Sequence, residues 1–228
     1  MPGQLAFSFG VQPALGRDDF IVAPCNEVAF RFVESWPDWP SPAGGIYGPA
    51  GCGKTHLAAV WSARTQANGV TEADATLERL AAVAGGAAIL IDGIDSPAWL
   101  ATEKREIALL SLFERARGTL LLTGRNPPTE WAAVTGDLRS RFDSLLAFPM
   151  WAPDDALLSG LLCKHFADRQ LDFSESLVGR VLSCLERTPE AIARFAARAD
   201  GRALAEKRAI GERLVLELLE EETLPGAR

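Results

Sequence analysis

The sequence is poor in the signals that mark a secreted, membrane-spanning or metal-clustered protein. Its four cysteines, Cys25, Cys52, Cys163 and Cys184, form no C-x-x-C pair and no Cys/His pattern, so structural zinc is not expected and a reduced cytoplasm fits best. The opening "MPGQLAFSFG" has no basic n-region and no long apolar run, so it does not read as a signal peptide. No later apolar stretch approaches the length of a membrane span. Positive charge is also short: 23 Lys and Arg face 30 Asp and Glu, a formal net charge of −7. Duplex affinity rests largely on cations neutralising phosphates, so a broad nucleic-acid surface is not expected and only a local basic patch stays open. Internal repeats and low-complexity tracts are absent, and His165 and the six tryptophans, without a repeated spacing, suggest structure alone.

What is present is an ordinary globular chain of 228 residues, 48% hydrophobic and 23% charged, long enough to bury a core. After the joint "GVQPALGRDD", the segment "NEVAFRFVESW" sets Val28, Ala29, Phe32 and Val33 on one helical stripe, with Asn26 placed to cap it. "GGIYG" reads as a short strand feeding a glycine loop, and "KTHLAAVWSARTQA" as the helix that leaves it. "AAILIDGID" and "GTLLLTG" have the unbroken apolar runs of buried parallel strands, separated by the helix "ATEKREIALLSLFERAR"; "SLLAF" is one more short strand. Strands alternating with helices predict a parallel sheet covered on both faces. From about Asp154 the pattern turns helical, with candidate helices at 154–168, 174–186, 189–199 and 203–220, after a joint at "PMWAPDD".

"GPAGCGKT", residues 48–55, matches G-x-x-x-x-G-K-[ST] in full. Glycines let successive backbone N–H groups turn inward around phosphate oxygens, and the next helix presents its positive N-terminus to them. Gly48, Pro49, Ala50, Gly51, Cys52 and Gly53 would form the cradle; Lys54 would reach the β- and γ-phosphates and Thr55 would hold Mg²⁺. Asp92 closes the run "AAILID", which would place its carboxylate at the sheet's C-terminal edge, where it would organise Mg²⁺ through a water; on the residues alone it also reads as capping a turn.

These residues together resemble a known group. "YGPAGCGKTHL", "ILIDGID", "LLLTGRNPP" and "DLRSRF" occur in the order and approximate spacing of the nucleotide-binding domain of the bacterial initiator DnaA, an AAA+ ATPase, over residues 18–220. The resemblance implies an α/β fold: a P-loop AAA+ parallel sheet with helices on both faces, then a small C-terminal helical lid. It divides the chain into a peptide and linker (1–17), a nucleotide-binding subdomain (18–152), a lid (153–222) and a tail (223–228). It implies ADP or ATP with Mg²⁺ as cofactors, His56 beside the loop, and an adenine pocket lined by Phe20, Ile21 and Val22. By pattern alone those three residues also read as ordinary packing. Arg141, in "LRSRF", matches the arginine finger that AAA+ proteins offer to a neighbour's γ-phosphate.

DnaA's helix-turn-helix domain would follow the lid, yet this chain stops at Arg228, so direct sequence-specific nucleic-acid binding is not expected. A DnaA-like ATPase domain behind a short N-terminal peptide looks like the Hda family, regulators that inactivate DnaA after replication begins. That family binds the sliding clamp, the DNA polymerase III beta subunit, through a Q-L-x-Φ-x-Φ peptide in which Φ is apolar. "QLAFSF" matches it: Gln4 would hydrogen-bond the clamp, and Leu5, Phe7 and Phe9 would anchor it. On the residues alone, the same peptide reads as an edge strand or terminal flap. DnaA and the clamp are the implied partners, a homodimer stays open, and the cytoplasm is the implied location.

The sequence departs from the family in three places. Gly93 stands where a second acid would follow Asp92, with Asp95 two positions on, so any intrinsic ATPase activity is expected to be weak. In "TGRNPP" the polar sensor residue is either Thr123 or Asn126. In the lid, Glu190 or Ala191 falls where the family's sensor arginine would sit, with Arg187 and Arg194 about a turn away on either side. The competing functional readings are a self-sufficient ATPase of the helicase-loader type, disfavoured by the missing acid, and a small P-loop kinase, which "DLRSRF" fits poorly.

Overall fold

The computed structural model describes residues 15–70, 87–97, 99, 102–116, 119–168 and 174–223. Five strands form one parallel sheet: β1 (Ala43–Tyr47), β2 (Asn68–Gly69), β3 (Ile89–Ile91), β4 (Leu120–Gly124) and β5 (Leu146–Pro149), in the order β2-β3-β4-β1-β5. Alternation along the strands divides the core in two. Ile89, Ile91, Leu120 and Leu122 face one side, where they pack on Leu109, Leu112 and Phe113 of α3 (Glu103–Arg115) and Leu138 and Phe142 of α4 (Gly136–Asp143). Leu90 and Leu121 face the other side, toward Phe32 and Val33 of α1 (Glu27–Glu34) and Leu57, Val60 and Trp61 of α2 (Lys54–Thr65). Burial on both faces is why "AAILID" and "TLLL" read as continuous apolar runs.

Four helices follow the sheet: α5 (Asp155–Ala167), α6 (Glu175–Cys184), α7 (Pro189–Glu206) and α8 (Glu212–Thr223). They enclose their own core of Leu158, Leu162, Phe166, Val181, Ile192, Phe195, Leu214 and Val215. A seam ties this bundle to the chain ahead of α1. Asp154 caps α5 by accepting from Leu157 N (2.8 Å) and also accepts from Cys25 N (3.0 Å). Lys164 Nζ donates to Asp18 O and to Asp19 Oδ1 (2.6 and 2.7 Å), and that hydrogen bond holds the Asp19 carboxyl below its ordinary range.

Several expectations need correcting. Asn26 precedes α1 but does not cap it; its Oδ1 accepts from Ala23 N and its Nδ2 donates to Ile21 O, closing the turn before the helix. On α1, Val28 is 54% exposed while Phe30 is buried, because Arg17 and Phe20 cover the Phe30 ring from the preceding segment. Helix α7 runs through Gly201 to Glu206 instead of ending at 199, since Ala199 and Ala203 continue its buried face. It stops at Lys207, whose left-handed φ of 53° ends the helix, and α8 therefore begins at Glu212 rather than 203. The two-residue β2 was not foreseen: "NG" is exposed and carries no apolar pattern.

Candidate functional site

Strand β1 ends between its two neighbours, and backbone bonds fix where the loop begins. Gly48 N donates to Gly124 O (3.1 Å) and Met150 N donates to Tyr47 O (2.7 Å). A Cβ on Gly48 would lie 2.0 Å from the Met150 carbonyl oxygen, so only glycine fits there. Gly51 and Gly53 hold φ of 74° and 98°, the conformations that turn backbone N–H groups toward an anion. Cys52 is buried beneath the loop, while Pro49 and Ala50 are exposed on it. Lys54 opens α2, and its ammonium donates to the carbonyls of Gly48 and Pro49 (2.7 and 2.8 Å), with Cys52 Sγ 3.7 Å away.

Across the loop stands a second polar group. Thr55 Oγ1 donates to Asp92 Oδ2 (2.9 Å), and Thr123 Oγ1 donates to Asp92 Oδ1 (2.5 Å) while accepting from Gly93 N (2.8 Å). Thr123 is fully buried, and its hydroxyl uses both donor and acceptor capacity here. Of the two sensor candidates it is the one bonded to Asp92. Asn126 is held by its backbone instead: its N–H meets Asp95 Oδ2 (3.2 Å) and its carbonyl accepts from Trp131 Nε1 (2.7 Å). Asp95 Oδ2 also accepts from Arg125 N (2.6 Å), so this carboxylate braces the loop after β4. Gly93 has φ of 74°, where a side chain is strained, which accounts for glycine in the place of the second acid.

The segment ahead of α1 flanks the loop without forming a paired strand at 20–22. Phe20 is buried, stacked on Phe30 (5.6 Å between centroids) and edge-on to His56 (5.2 Å). His56 Nε2 lies 3.2 Å from Gly16 O, so its contacts anchor this segment rather than the phosphate cradle. Ile21 packs against α5, where a Cβ on Gly160 would come within 3.2 Å of it, and Val22 is 40% exposed. Gln4, Leu5, Phe7 and Phe9 lie outside the described residues.

Arg141 sits in the last turn of α4, exposed. The residues that fix this helix escaped the sequence reading. Glu106 of α3 is fully buried and accepts from Val134 N (2.6 Å), Thr135 N (2.8 Å) and Thr135 Oγ1 (2.7 Å) at the N-terminus of α4. Burial pushes its carboxyl up, but the hydrogen bonds from Val134 and Thr135, with the Arg139 charge, overcome that and hold it below its ordinary value. Arg139, two residues before Arg141 on the same helix, donates to Thr129 O (3.0 Å) and Trp131 O and pairs with Asp143 (3.7 Å). Glu106 was detectable: it falls three and seven residues before Leu109 and Phe113, on the buried stripe of its helix. In the bundle, Arg187 pairs with Asp155 and Arg194 with Glu186 (3.4 Å).

No family model matches the chain, and no curated protein matches it. Solved structures do. AMPPCP-bound DnaA from Aquifex aeolicus shares the fold with a TM-score of 0.68 at 18% identity, over 84% of this chain and 66% of that one. This chain thus spans just under two thirds of that initiator's length. Domain III of the Thermotoga maritima initiator DnaA gives a TM-score of 0.68 at 15% identity, over 94% of this chain and 99% of that one. A RuvB variant from Thermotoga maritima gives 0.61 at 16% identity, over 86% and 68%. The parallel five-stranded sheet and phosphate loop thus define an AAA+ fold. Within that class the fold is DnaA-like. Among the described residues no helix is long and apolar enough to cross a membrane.

Proposed function

We propose that this protein is an adenine-nucleotide-binding regulator of chromosome replication initiation that docks on the sliding clamp and promotes ATP hydrolysis on DnaA. The observation that carries the nucleotide site is the constellation of Lys54, Thr55 and Asp92 around a phosphate loop whose glycines adopt left-handed φ. A hydroxyl and a carboxylate 2.9 Å apart are the hard oxygen donors that Mg²⁺ takes, directly or through water. Thr55 and Asp92 would hold the ion, which neutralises phosphate charge when bound. Lys54 would exchange its loop carbonyls for phosphate oxygens, while Phe20, Ile21 and Val22 flank the adenine. Nucleotide binding also agrees with the AMPPCP in the similar DnaA structures.

The trans-acting role rests on the contrast between two arginines of α4. Arg139 is bound to its own chain, whereas the Arg141 guanidinium makes no hydrogen bond or ion pair among the described residues. An exposed, unpaired guanidinium on a helix that Glu106 and Arg139 hold in place would be available to a neighbour. Weak turnover by the protein itself follows from Gly93 and from Asp95, which is committed to Arg125 and Asn126. The clamp anchor would be Gln4, Leu5, Phe7 and Phe9. ATP turnover by the purified protein alone, then with clamp on DNA and ATP-loaded DnaA, tests the reading: slow turnover alone and stimulated turnover in the mixture are expected. Fast turnover alone would favour a self-sufficient ATPase of the helicase-loader type.

A further inference from the structure

Helix α5 holds the segment ahead of α1 at three levels. Asp154 at its start accepts from Cys25 N (3.0 Å), Leu157 and Leu161 pack on Ile21, Ala23 and Cys25, and Lys164 near its end donates to Asp18 O and Asp19 Oδ1 (2.6 and 2.7 Å). The nucleotide-binding subdomain holds the same segment from the other side. Arg17 covers Phe30, His56 lies 3.2 Å from Gly16 O, and Phe20 comes within 3.9 Å of a Cβ built on Gly53 in the phosphate loop. Residues 16–25 are therefore a strap shared by the two bodies. The bundle also reaches the loop directly, where Glu190 of α7 lies 3.6 Å from a Cβ built on Gly51.

We propose that Lys164 is a latch: its grip on Asp18 and Asp19 keeps the bundle closed on the strap and beside the phosphate loop, and its release lets the bundle swing away and opens the loop. The ammonium and the Asp19 carboxylate are 28% and 33% exposed, so the apolar seam of Leu157, Leu161 and Cys25 is closed at its outer end by an ion pair that water reaches. Such a pair breaks and re-forms at small cost and is weakened by salt. The buried seam behind it opens only once the pair is broken. Cys25 reports that opening, because it is buried in the seam and burial pushes its thiol up, which slows alkylation while the seam is closed. The part of the proposal that concerns ligand release rests on the reading of this loop as a nucleotide site.

The test follows alkylation of Cys25 by iodoacetamide, resolved by mass spectrometry, and release of N-methylanthraniloyl-ADP by stopped flow, both on the full chain. It compares wild type, Lys164→Met, Asp19→Asn and the double variant. Lys164→Met should speed alkylation and release about threefold to tenfold. Asp19→Asn should do less, because the bond to Asp18 O remains, and the double variant should do no more than Lys164→Met. High salt should speed both processes in wild type and leave Lys164→Met flat. Cys52, buried beneath the loop, is the control for unfolding: acceleration of Cys25 and Cys52 together marks a general loss of stability and overturns the latch. Unchanged alkylation of Cys25 in Lys164→Met overturns it as well. Faster alkylation with unchanged release overturns the control of the loop. Failure of wild type to bind the probe overturns the nucleotide reading, and alkylation of Cys25 then still decides the latch.

Discussion

Replacing Glu106 with glutamine removes a charge from the interior while keeping the side chain's shape, at the point where α3 grips the helix that carries Arg141. The carboxylate accepts three hydrogen bonds, from Val134 N, Thr135 N and Thr135 Oγ1. Glutamine keeps one acceptor oxygen and turns an NH₂ donor toward a group that is itself a donor. Hydrogen bonds to buried charge contribute about 1.5–3 kcal/mol each, and a frustrated donor adds its own penalty, so a loss of about 2–4 kcal/mol is expected. For a chain of this size that is a fall in melting temperature of about 5–12 °C. The pH dependence has a definite sign. The folded carboxyl titrates below its ordinary value of 4.5, so its stabilisation is complete above that value and declines as pH falls through the lower folded one. Glutamine does not titrate, so the gap between the two proteins should be widest near neutral pH and close on acidification. Chemical denaturation across a pH series measures it. Equal stability near neutral pH, or a gap that widens in acid, would refute the reasoning.

Lys54→Ala should lower the ligand-free melting temperature only slightly, since the carbonyls of Gly48 and Pro49 lose one partly exposed donor, and weaken ADP binding by about tenfold or more, since a charged hydrogen bond to phosphate is lost; equal affinities by calorimetry would remove the loop from the site. Gly93→Glu should cost about 1 kcal/mol from the left-handed φ of 74° and Gly93→Asn less, as asparagine tolerates that region; equal losses by denaturation would contradict the backbone argument. Replacing Gln4 and Leu5 with alanine should weaken clamp binding by about 2 kcal/mol or more, the range of interface hot spots, with nucleotide affinity and stability unmoved. Undiminished binding to immobilised clamp would exclude the peptide as the anchor.

The sheet was legible because its central strands are buried on both faces, and the phosphate loop because its chemistry dictates both residue types and spacing. Asp92 could be placed for the same reason: a carboxylate ending a buried run emerges at the sheet edge. What escaped were pairings between residues distant in sequence. Glu106 meets Val134 and Thr135 only after the chain folds back from β4, and Asp95 meets Arg125 in the same way. Arg139 and Arg141 are two residues apart and look alike in sequence, yet one is fixed to Thr129 and Trp131 and the other is exposed. The break expected between helices at 189–199 and 203–220 does not occur, because the alanines on the buried face of α7 outweigh the local cost of Gly201. The proximity of Glu190 to Gly51 depends on how α7 sits against the loop, which periodicity cannot report.

The most direct measurement is single-turnover hydrolysis of ATP preloaded on DnaA, with clamp on DNA present, comparing wild type with Arg141→Ala. The Arg141 guanidinium makes no hydrogen bond or ion pair among the described residues, and the bond from Ser144 Oγ goes to its backbone carbonyl, so the variant should fold and bind nucleotide and clamp as wild type does. Arginines supplied in trans contribute about 10³- to 10⁵-fold to phosphoryl transfer where they have been dissected, and a loss of most of the stimulation is predicted here. Stimulation by Arg141→Ala equal to that by wild type would contradict the central claim.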